Sequence, residues 1–347
     1  MIERRSFLKL CLASAMTQTE LLSGSAAAAG DASQTLLVTH PAFFDHDPGP
    51  GHPERPARLR AIDAALKDPA FSALRREAAP LRDDIETAIL RAHSASHLAR
   101  FKAAATDAGN LPYSFDGDTA ISAGSFEAAY RAVGAGLFAV DLVMDPKSRV
   151  ANAFCEVRPP GHHAERERIM GFCLFNNIAI AALYARARHG AERVAIIDFD
   201  VHHGNGTQQI FWEDSAVLFG STHQMPLFPY SGAVTETGVD NIVNAPLRAG
   251  DGGAEFKEAM ETRILPALHA FRPDLILISA GFDAHRGDPL ARLRLDDEDF
   301  AWITLKLIEA AQKHCGGRIV SFLEGGYGLH ALATSTAAHV GALMQGV

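Results

Sequence analysis

Two carboxylates and an imidazole alternate in the segment Val194–Gly206, which has the sequence VAIIDFDVHHGNG. Asp198, Asp200 and His202 follow an apolar run that is typical of a buried strand in a parallel sheet, and glycines mark the turn where it ends. Side chains alternate along a strand, so the three polar groups are expected on one face. Burial of such groups without a partner is unfavourable, and a cation is the simplest partner. The segment therefore predicts a metal site.

Three further polar clusters follow apolar runs, and each contains residue types that bind metals or transfer protons. They are Arg158–His163 (RPPGHH), Ser279–Pro289 (SAGFDAHRGDP) and Glu324–Gly328 (EGGYG). Taken singly, each has an ordinary alternative, such as a helix cap, a buried core histidine or a tight turn. Ligands of parallel α/β sheets bind at the carboxyl ends of the strands, so the four clusters together indicate one active site.

Strands and helices alternate along the chain, which predicts βαβ units in a single α/β domain. Its central parallel sheet is expected to carry helices on both faces. The predicted strands are Thr35–Thr39, Ala151–Val157, Arg193–Asp198, Ala216–Ser221, Asp274–Ser279 and Arg318–Leu323. The predicted helices are Arg58–Lys67, Ser94–Thr106, Ser122–Met144, Leu174–Arg188, Ala254–Phe271, Asp296–His314 and His330–Met344. Between them, Asn110–Ser122 is expected to be a polar loop.

The composition is that of a globular chain and excludes some functions. The 347 residues are 48% hydrophobic, and no apolar run is long enough to span a membrane. The net charge of -9 argues against a nucleic-acid binder that depends on phosphate contacts, and it suits a cationic substrate. The four cysteines form no C-x-x-C pair, so no zinc knuckle or redox motif is expected.

The N-terminus differs from the rest of the chain. Arg4–Lys9 (RRSFLK) precedes a mildly apolar stretch and the small residues Ala26–Ala29, an arrangement similar to a twin-arginine export signal with its cleavage site. We therefore predict a signal peptide over residues 1–30, a catalytic domain over residues 31–347, and a periplasmic location. The alternative is a basic N-terminus without an export function, in which case the protein acts in the cytoplasm.

The four clusters, in this order, resemble those of the zinc-dependent histone deacetylase and acetylpolyamine amidohydrolase superfamily, in particular its class II-like bacterial branch. The resemblance covers residues 35–345 and includes the early segment Gly51–Pro56 (GHPERP) and the turn Gly171–Cys173. It implies an arginase-like fold and one zinc ion per subunit, although a ferrous ion is compatible with the same ligands. The implied metal ligands are Asp200, His202 and Asp283.

The resemblance also implies roles for the groups around the metal. His162 and His163 would lie beside the attacking water, held by Asp198 and Asn205 respectively, and Tyr327 would polarise the substrate carbonyl. Asn205 is the class II form of a position that is Asp in class I. Because a neutral partner leaves an imidazole less basic, we predict His163 as the acid–base group and His162 as its electrostatic partner.

A substrate channel is implied by the same comparison. Phe172, preceded by Gly171, and Phe228 would form aromatic walls around a linear acylated chain. Leu290 occupies a wall position where polyamine-selective animal relatives carry an acidic residue, so its apolar side chain gives no support for that specificity. Asp118 matches the rim aspartate with which class I members bind the substrate backbone.

The resemblance further implies a structural monovalent cation, K⁺ or Na⁺, beside the zinc. Such an ion orients the zinc ligands. Its implied ligands are backbone oxygens of Asp198, Asp200 and His202, completed by Ser221 and Thr222.

The implied reaction is removal of an acetyl group from an N-acetylated amine, either an acetylpolyamine or acetyl-lysine. An exported enzyme would meet small acetylated amines, whereas protein acetyl-lysine is equally suitable without export. A manganese ureohydrolase is disfavoured, because Gly204 and Gly281 stand where a second metal needs carboxylates. A catalytically inactive binding protein should lack a ligand, the histidine pair or the tyrosine, and none is missing. Bacterial relatives often form homo-oligomers.

Overall fold

A parallel eight-stranded sheet forms the centre of the molecule, in the computed structural model that describes residues 34–107 and 109–347. The strands are β1 (Gln34–Thr39), β2 (Arg75–Ala78), β3 (Tyr113–Ser114), β4 (Ala120–Ile121), β5 (Val150–Cys155), β6 (Val194–Asp198), β7 (Val217–Gln224), β8 (Ile242–Leu247), β9 (Leu275–Ala280) and β10 (Ile319–Leu323). Their order in the sheet is β2-β1-β5-β10-β9-β6-β7-β8, and β3 and β4 form a separate antiparallel pair. The predicted signal peptide, residues 1–30, lies outside the described residues.

Helices cover both faces of this sheet, as the alternating pattern predicted. The helices are α1 (Ala57–Ala65), α2 (Ile85–Ala92), α3 (Ala95–Thr106), α4 (Ser125–Met144), α5 (Asn177–His189), α6 (Asn205–Ile210), α7 (Gly253–Ala259), α8 (Leu265–Phe271), α9 (Asp297–Cys315) and α10 (Leu329–Gln345). Helices α2, α4 and α5 pack together on one side, and α1, α9 and α10 pack together on the other. Within the described ranges, no helix has the length and apolar character needed to cross a lipid bilayer.

The predicted helix Ala254–Phe271 is interrupted. A single π-helical turn, Met260–Ile264, separates α7 from α8. Pro266 lies in the first turn of α8 and has no N–H to donate to the preceding turn, which accounts for the local change in hydrogen bonding.

Two strands at the sheet edges were missed by the sequence patterns. Strand β2 (RREA) is charged and only partly buried, and β8 (IVNAPL) contains Pro246. Proline is tolerated only where a strand has a free side, and both strands are edges of the sheet. The short helices α2 and α6 were missed because eight or fewer residues carry little periodic signal.

The sheet order brings the four polar clusters together. Strands β5, β10, β9 and β6 are consecutive neighbours, and each of the four clusters follows one of them. However, the expectation that strand alternation sets the positions of Asp198, Asp200 and His202 is wrong. Strand β6 ends at Asp198, so the two later residues lie in the loop beyond it. Loop geometry and not pleating orients the metal-binding side chains.

Glu156 carries a testable stability effect, because it is fully buried next to the end of β5. Neither carboxyl oxygen has a partner of ordinary hydrogen-bond geometry among the described residues, and burial outweighs the interactions with Arg76 and Thr39 that favour the charged form. Burial, followed by the negative charge of Asp63, raises the pKa of Glu156 well above its ordinary value of 4.5. The unfolded chain loses this proton above pH 4.5 while the folded chain keeps it, so folding becomes less favourable as pH rises from 4.5 towards the folded pKa.

We therefore expect Glu156→Met, which removes the polar atoms at similar volume, to increase the free energy of unfolding by about 1–3 kcal/mol at pH 8. The gain should be smaller at pH 5, and urea unfolding at both values measures it. Glu258→Met, at an exposed helical site, serves as the control and should show no such pH dependence. A loss of stability at pH 8 in Glu156→Met would contradict this account.

Candidate active site

Two carboxylates and one imidazole converge beyond the ends of β6 and β9. Ligand atoms of Asp200, His202 and Asp283 lie within 4.8 Å of one another. His202 Nδ1 is 3.2 Å from Asp200 Oδ1 and 3.2 Å from Asp283 Oδ2. Backbone amides fix both carboxylates: Gly325 N donates to Asp200 Oδ2 at 2.8 Å, and Val201 N donates to Asp283 Oδ1 at 2.9 Å. The three predicted ligands therefore form one preorganised cluster.

Glycines make room for these carboxylates. A Cβ atom on Gly281 would lie 2.0 Å from Asp200 Oδ2, and one on Gly325 would lie 2.1 Å from Asp283 Oδ2. At Gly204 it would lie 2.4 Å from an oxygen of Asp198. No side chain fits at Gly204 or Gly281, the positions where a second metal would need ligands. The geometry thus favours a single ion.

The electrostatics of the cluster fit a divalent cation. Burial opposes the charge on His202, but Asp200 and Asp283 outweigh it and raise the pKa of His202. Burial also raises the pKa of Asp283, and the adjacent charge of Asp200 adds to this effect. Two buried carboxylates beside one imidazole hold an excess of negative charge that a divalent ion would neutralise.

The two histidines after β5 stand next to this cluster with different partners. His162 Nδ1 is 3.0 Å from Asp198 Oδ2, and His163 Nδ1 is 2.8 Å from Asn205 Oδ1. Burial would lower the pKa of His162, but Asp200 and Asp198 outweigh it and raise that pKa. Burial, followed by the charges of His162 and His202, lowers the pKa of His163 well below its ordinary value. The pKa values of the two imidazoles are therefore shifted in opposite directions.

Tyr327 follows β10 in a turn that several groups hold in place. Gly326 has φ +119°, a conformation that L side chains rarely adopt. Asp288 Oδ2 accepts a hydrogen bond from Tyr327 N at 2.7 Å. The Arg58 guanidinium lies 5.0 Å from the ring centroid of Tyr327 and donates to the carbonyl oxygens of Gly326 and Glu324. The tyrosine is consequently fixed from both sides.

Arg58 is itself part of a fully buried ionic cluster around Glu54, and Glu54 lies in the GHPERP segment. Arg58 Nη1 lies 3.1 Å from Glu54 Oε1, and Arg158 donates to Glu54 through two nitrogens. His46 Nε2 is 3.3 Å from the other Glu54 oxygen. Burial alone would raise the pKa of Glu54, but Arg158 and His46 outweigh it and hold that pKa well below 4.5. The early segment thereby supports the Tyr327 turn through Arg58.

We expect Glu54→Gln to lower the free energy of unfolding by about 3–5 kcal/mol, because it leaves buried guanidinium charge uncompensated. Thermal and urea unfolding measure the effect. Glu77→Gln is the matched control, since Glu77 pairs with Arg75 at the surface and should change stability by less than about 1 kcal/mol. In the wild type, the contribution of Glu54 should disappear as pH falls below its ordinary value of 4.5 and through its lower folded pKa. Equal effects of the two substitutions would contradict this interpretation.

A cavity of about 280 Å³ leads from the surface to the cluster. Every predicted channel residue lines this cavity, together with two histidines of the site and the tyrosine. These lining residues are Asp118, Gly171, Phe172, Phe228, Leu290, His163, His202 and Tyr327. Asp116 and Leu227 also line it and were not predicted as site residues. Asp116 Oδ1 accepts hydrogen bonds from the backbone N–H groups of Asp118 and Thr119, so it shapes the rim.

The aromatic walls are held in unusual geometry. Phe172 has φ +66°, which is uncommon for a bulky residue, and its N–H donates to Thr119 Oγ1 at 3.0 Å. Gly171 has φ +59°, and a Cβ atom there would lie 2.6 Å from the His163 ring. The Phe228 ring centroid is 5.1 Å from that of His163. Both aromatic walls line the same cavity as His202.

Two buried carboxylates in this region were missed as site residues. Glu324 Oε2 accepts from the backbone N–H groups of Gly161 at 2.7 Å and His162 at 3.1 Å, which ties the histidine turn to β10. Asp288 fixes the tyrosine turn, as described above. Both residues belong to polar clusters that were identified in the sequence. Each could have been recognised there as a charged residue after a strand to which no role had been assigned.

Three of the five residues predicted for a monovalent cation are neighbours across two strands, and the other two, Asp200 and His202, lie in the loop after β6. Asp198 of β6 is directly paired with Ser221 of β7, and Thr222 follows it. Ser221 and Thr222 are both buried.

A cluster that could hold a metal ion lies at the carboxyl edge of an α/β sheet, with paired histidines and a tyrosine beside one cavity. This is the arrangement expected of a hydrolase of the deacetylase class. Residues 52–343 match the histone deacetylase domain, and the chain belongs to the histone deacetylase family. This agrees with the resemblance in the sequence motifs.

Known proteins with similar sequences carry related names. The chain is 43% identical over 284 residues to a histone deacetylase-like amidohydrolase of Pseudomonas aeruginosa, covering 80% of this chain and 73% of that protein. It is 37% identical over 318 residues to a probable deacetylase of Archaeoglobus fulgidus, covering 90% of this chain and 86% of that protein. The crystal structure of the HDA15 HD domain superposes with a TM-score of 0.84 at 36% identity, covering 90% of this chain and 88% of that one.

Proposed function

We propose that this deacetylase uses zinc to hydrolyse the amide of small N-acetylated amines and releases acetate. The observation that carries the proposal is the metal-binding triad at the base of a cavity of about 280 Å³ whose walls include Phe172 and Phe228. A narrow aromatic channel suits a linear alkyl chain, and the triad suits a catalytic ion with open coordination positions. A ferrous ion in the same ligands would support the same reaction.

Asp200, His202 and Asp283 would hold the zinc ion. Zinc at this position supplies Lewis acidity, which makes water a stronger nucleophile and polarises a carbonyl group. The monovalent cation, K⁺ or Na⁺, would be bound beside it by oxygens of Asp198, Asp200, His202, Ser221 and Thr222. The direct pairing of Asp198 with Ser221 supports this second assignment.

His163 is the proposed proton carrier. Its lowered pKa keeps the imidazole neutral and ready to accept a proton from the attacking water. The imidazole nitrogen of His163 that accepted the proton then returns it to the departing amine nitrogen. His162, held by Asp198, is proposed to act through its positive charge, because the surrounding carboxylates raise its pKa.

Tyr327 is the proposed donor to the substrate carbonyl oxygen. Burial, opposed in part by Arg58, raises the pKa of its hydroxyl well above the ordinary value of 10, so the proton stays available for donation. A donor aimed at the developing negative charge stabilises the transition state more than the substrate.

The substrate assignment rests on charge and on export. Asp116 and Asp118 line the cavity and the chain carries a net charge of -9, which favours a cationic amine. The export signal proposed over residues 1–30 would place the enzyme in the periplasm, away from cytosolic acetylated proteins. Protein acetyl-lysine is the second candidate, because relatives at 41% and 43% identity are named histone deacetylase or histone deacetylase-like.

One experiment separates the two candidates. Release of acetate from acetylputrescine, acetylspermidine and an acetyl-lysine peptide is compared as kcat/KM on the zinc-loaded protein. We expect the acetylated polyamines to be turned over more efficiently, and Asp118→Asn to reduce that preference. A kcat/KM that is much higher for the peptide would overturn the small-amine assignment, and absence of turnover with all three would overturn the deacetylase proposal.

A further inference from the structure

A third side chain extends the contact between His163 and Asn205. Asn205 Nδ2 donates to Glu165 Oε1 at 2.7 Å, on the side opposite to the contact with His163. His163 and Asn205 are buried, whereas Glu165 is half-buried and borders a second cavity of about 270 Å³ that Asn205 also lines. Glu165 does not line the cavity that leads to the metal-binding triad. Among the described side chains, its hydrogen bond to Asn205 connects it to the site.

The chemistry of these partners determines which way the Asn205 amide faces. An amide can present its oxygen or its NH₂ group on a given side, and its neighbours decide which orientation is stable. The carboxylate of Glu165 only accepts hydrogen bonds, and the second neighbour of Asn205 Nδ2 is the sulfur of Met170 at 3.5 Å, which is also an acceptor. The NH₂ group must therefore face Glu165 and Met170, and Oδ1 must face His163.

This orientation has a consequence for the imidazole. Because Asn205 presents only an acceptor to His163 Nδ1, that nitrogen must carry the hydrogen, and a neutral His163 then has its lone pair on Nε2. With Nε2 free to accept, the ring can take a proton from water in the catalytic cavity. With the opposite amide orientation, Nε2 would carry the hydrogen and could not act as a base.

We propose that Glu165 is a positioning residue that selects the base-competent tautomer of His163 by fixing the orientation of the Asn205 amide. The backbone around it is well anchored, since Glu165 N donates to Arg168 O at 3.0 Å and Glu165 O accepts from His93 Nδ1 at 2.9 Å. The inference rests on the proposed acid–base role of His163 in deacetylation.

Two substitutions at position 165, one to a cation and one to a neutral amide, test the inference. Glu165→Lys offers only donors, so it should turn the amide around and lower kcat by about 10- to 100-fold with little change in KM. Glu165→Gln can donate or accept and should have a smaller effect. Glu167→Lys makes the same charge change at an exposed site of the same turn and should leave kcat unchanged.

The diagnostic measurement is the same substitution in an Asn205→Asp background. A carboxylate at position 205 accepts from His163 in either orientation and is repelled by Glu165, so Glu165→Lys should now raise kcat. The side-chain ¹⁵N resonances of histidine report the tautomer directly, and those of His163 should change from Nδ1–H to Nε2–H in Glu165→Lys alone.

Equal effects of Glu165→Lys in the two backgrounds, or an unchanged His163 tautomer, would overturn the inference. A wild-type protein without deacetylase activity would instead count against the proposed function. The ¹⁵N measurement does not depend on turnover, so the two failures are distinguishable.

Discussion

Asp283→Ala is expected to abolish zinc binding and to reduce deacetylation of an acetyl-lysine peptide or acetylputrescine to the level of a no-enzyme control. Asp283 is fully buried, and its Oδ2 lies 3.2 Å from His202 Nδ1, so its removal leaves one carboxylate and one imidazole for the ion. A zinc site with two protein ligands neither retains the ion nor orients the nucleophile. Metal content by atomic emission and acetate release are measured on the same preparation.

The control for this substitution is Glu213→Ala, which removes a carboxylate from an exposed position and should retain full zinc content and activity. Circular dichroism of both variants separates loss of the ion from loss of the fold. Activity of Asp283→Ala equal to that of the wild type would exclude the zinc mechanism.

Tyr327→Phe is expected to lower kcat by about 100- to 1,000-fold while zinc content and KM stay close to those of the wild type. The substitution removes only the hydroxyl, and the ring keeps its contacts with Phe172, at 5.9 Å between centroids, and with the Arg58 guanidinium. The loss should therefore appear in the transition state and not in substrate binding.

Tyr230→Phe is the matched control, because Tyr230 is 76% exposed and undergoes the same chemical change. Its kcat should be unchanged. A similar loss of kcat in both variants would contradict the proposed role of Tyr327 as the hydrogen-bond donor to the substrate carbonyl oxygen. A change in KM without a change in kcat in Tyr327→Phe would contradict it as well.

Much of the site was predictable because its reactive residues occur in short sequence motifs directly after apolar strands. Asp200, His202, Asp283 and Tyr327 each follow an apolar strand, and parallel strands end at one edge of the sheet. The same patterns did not predict the orientation of the side chains, because β6 ends at Asp198 and strand alternation does not apply in the loop that follows. The positions of the carboxylates are set instead by hydrogen bonds from backbone amides and by glycines that leave space for them.

The sequence by itself determined the residue types, the strand ends that carry them and, through the motifs, the family. Only the tertiary structure decided which groups orient them: Glu165 behind Asn205, Glu324 on the histidine turn, and Arg58 on the tyrosine turn. Arg58 and Gly326 are 268 residues apart in the chain. Hydrogen bonds between distant segments leave no periodic trace in the sequence, because they depend on how the strands are ordered in the folded sheet.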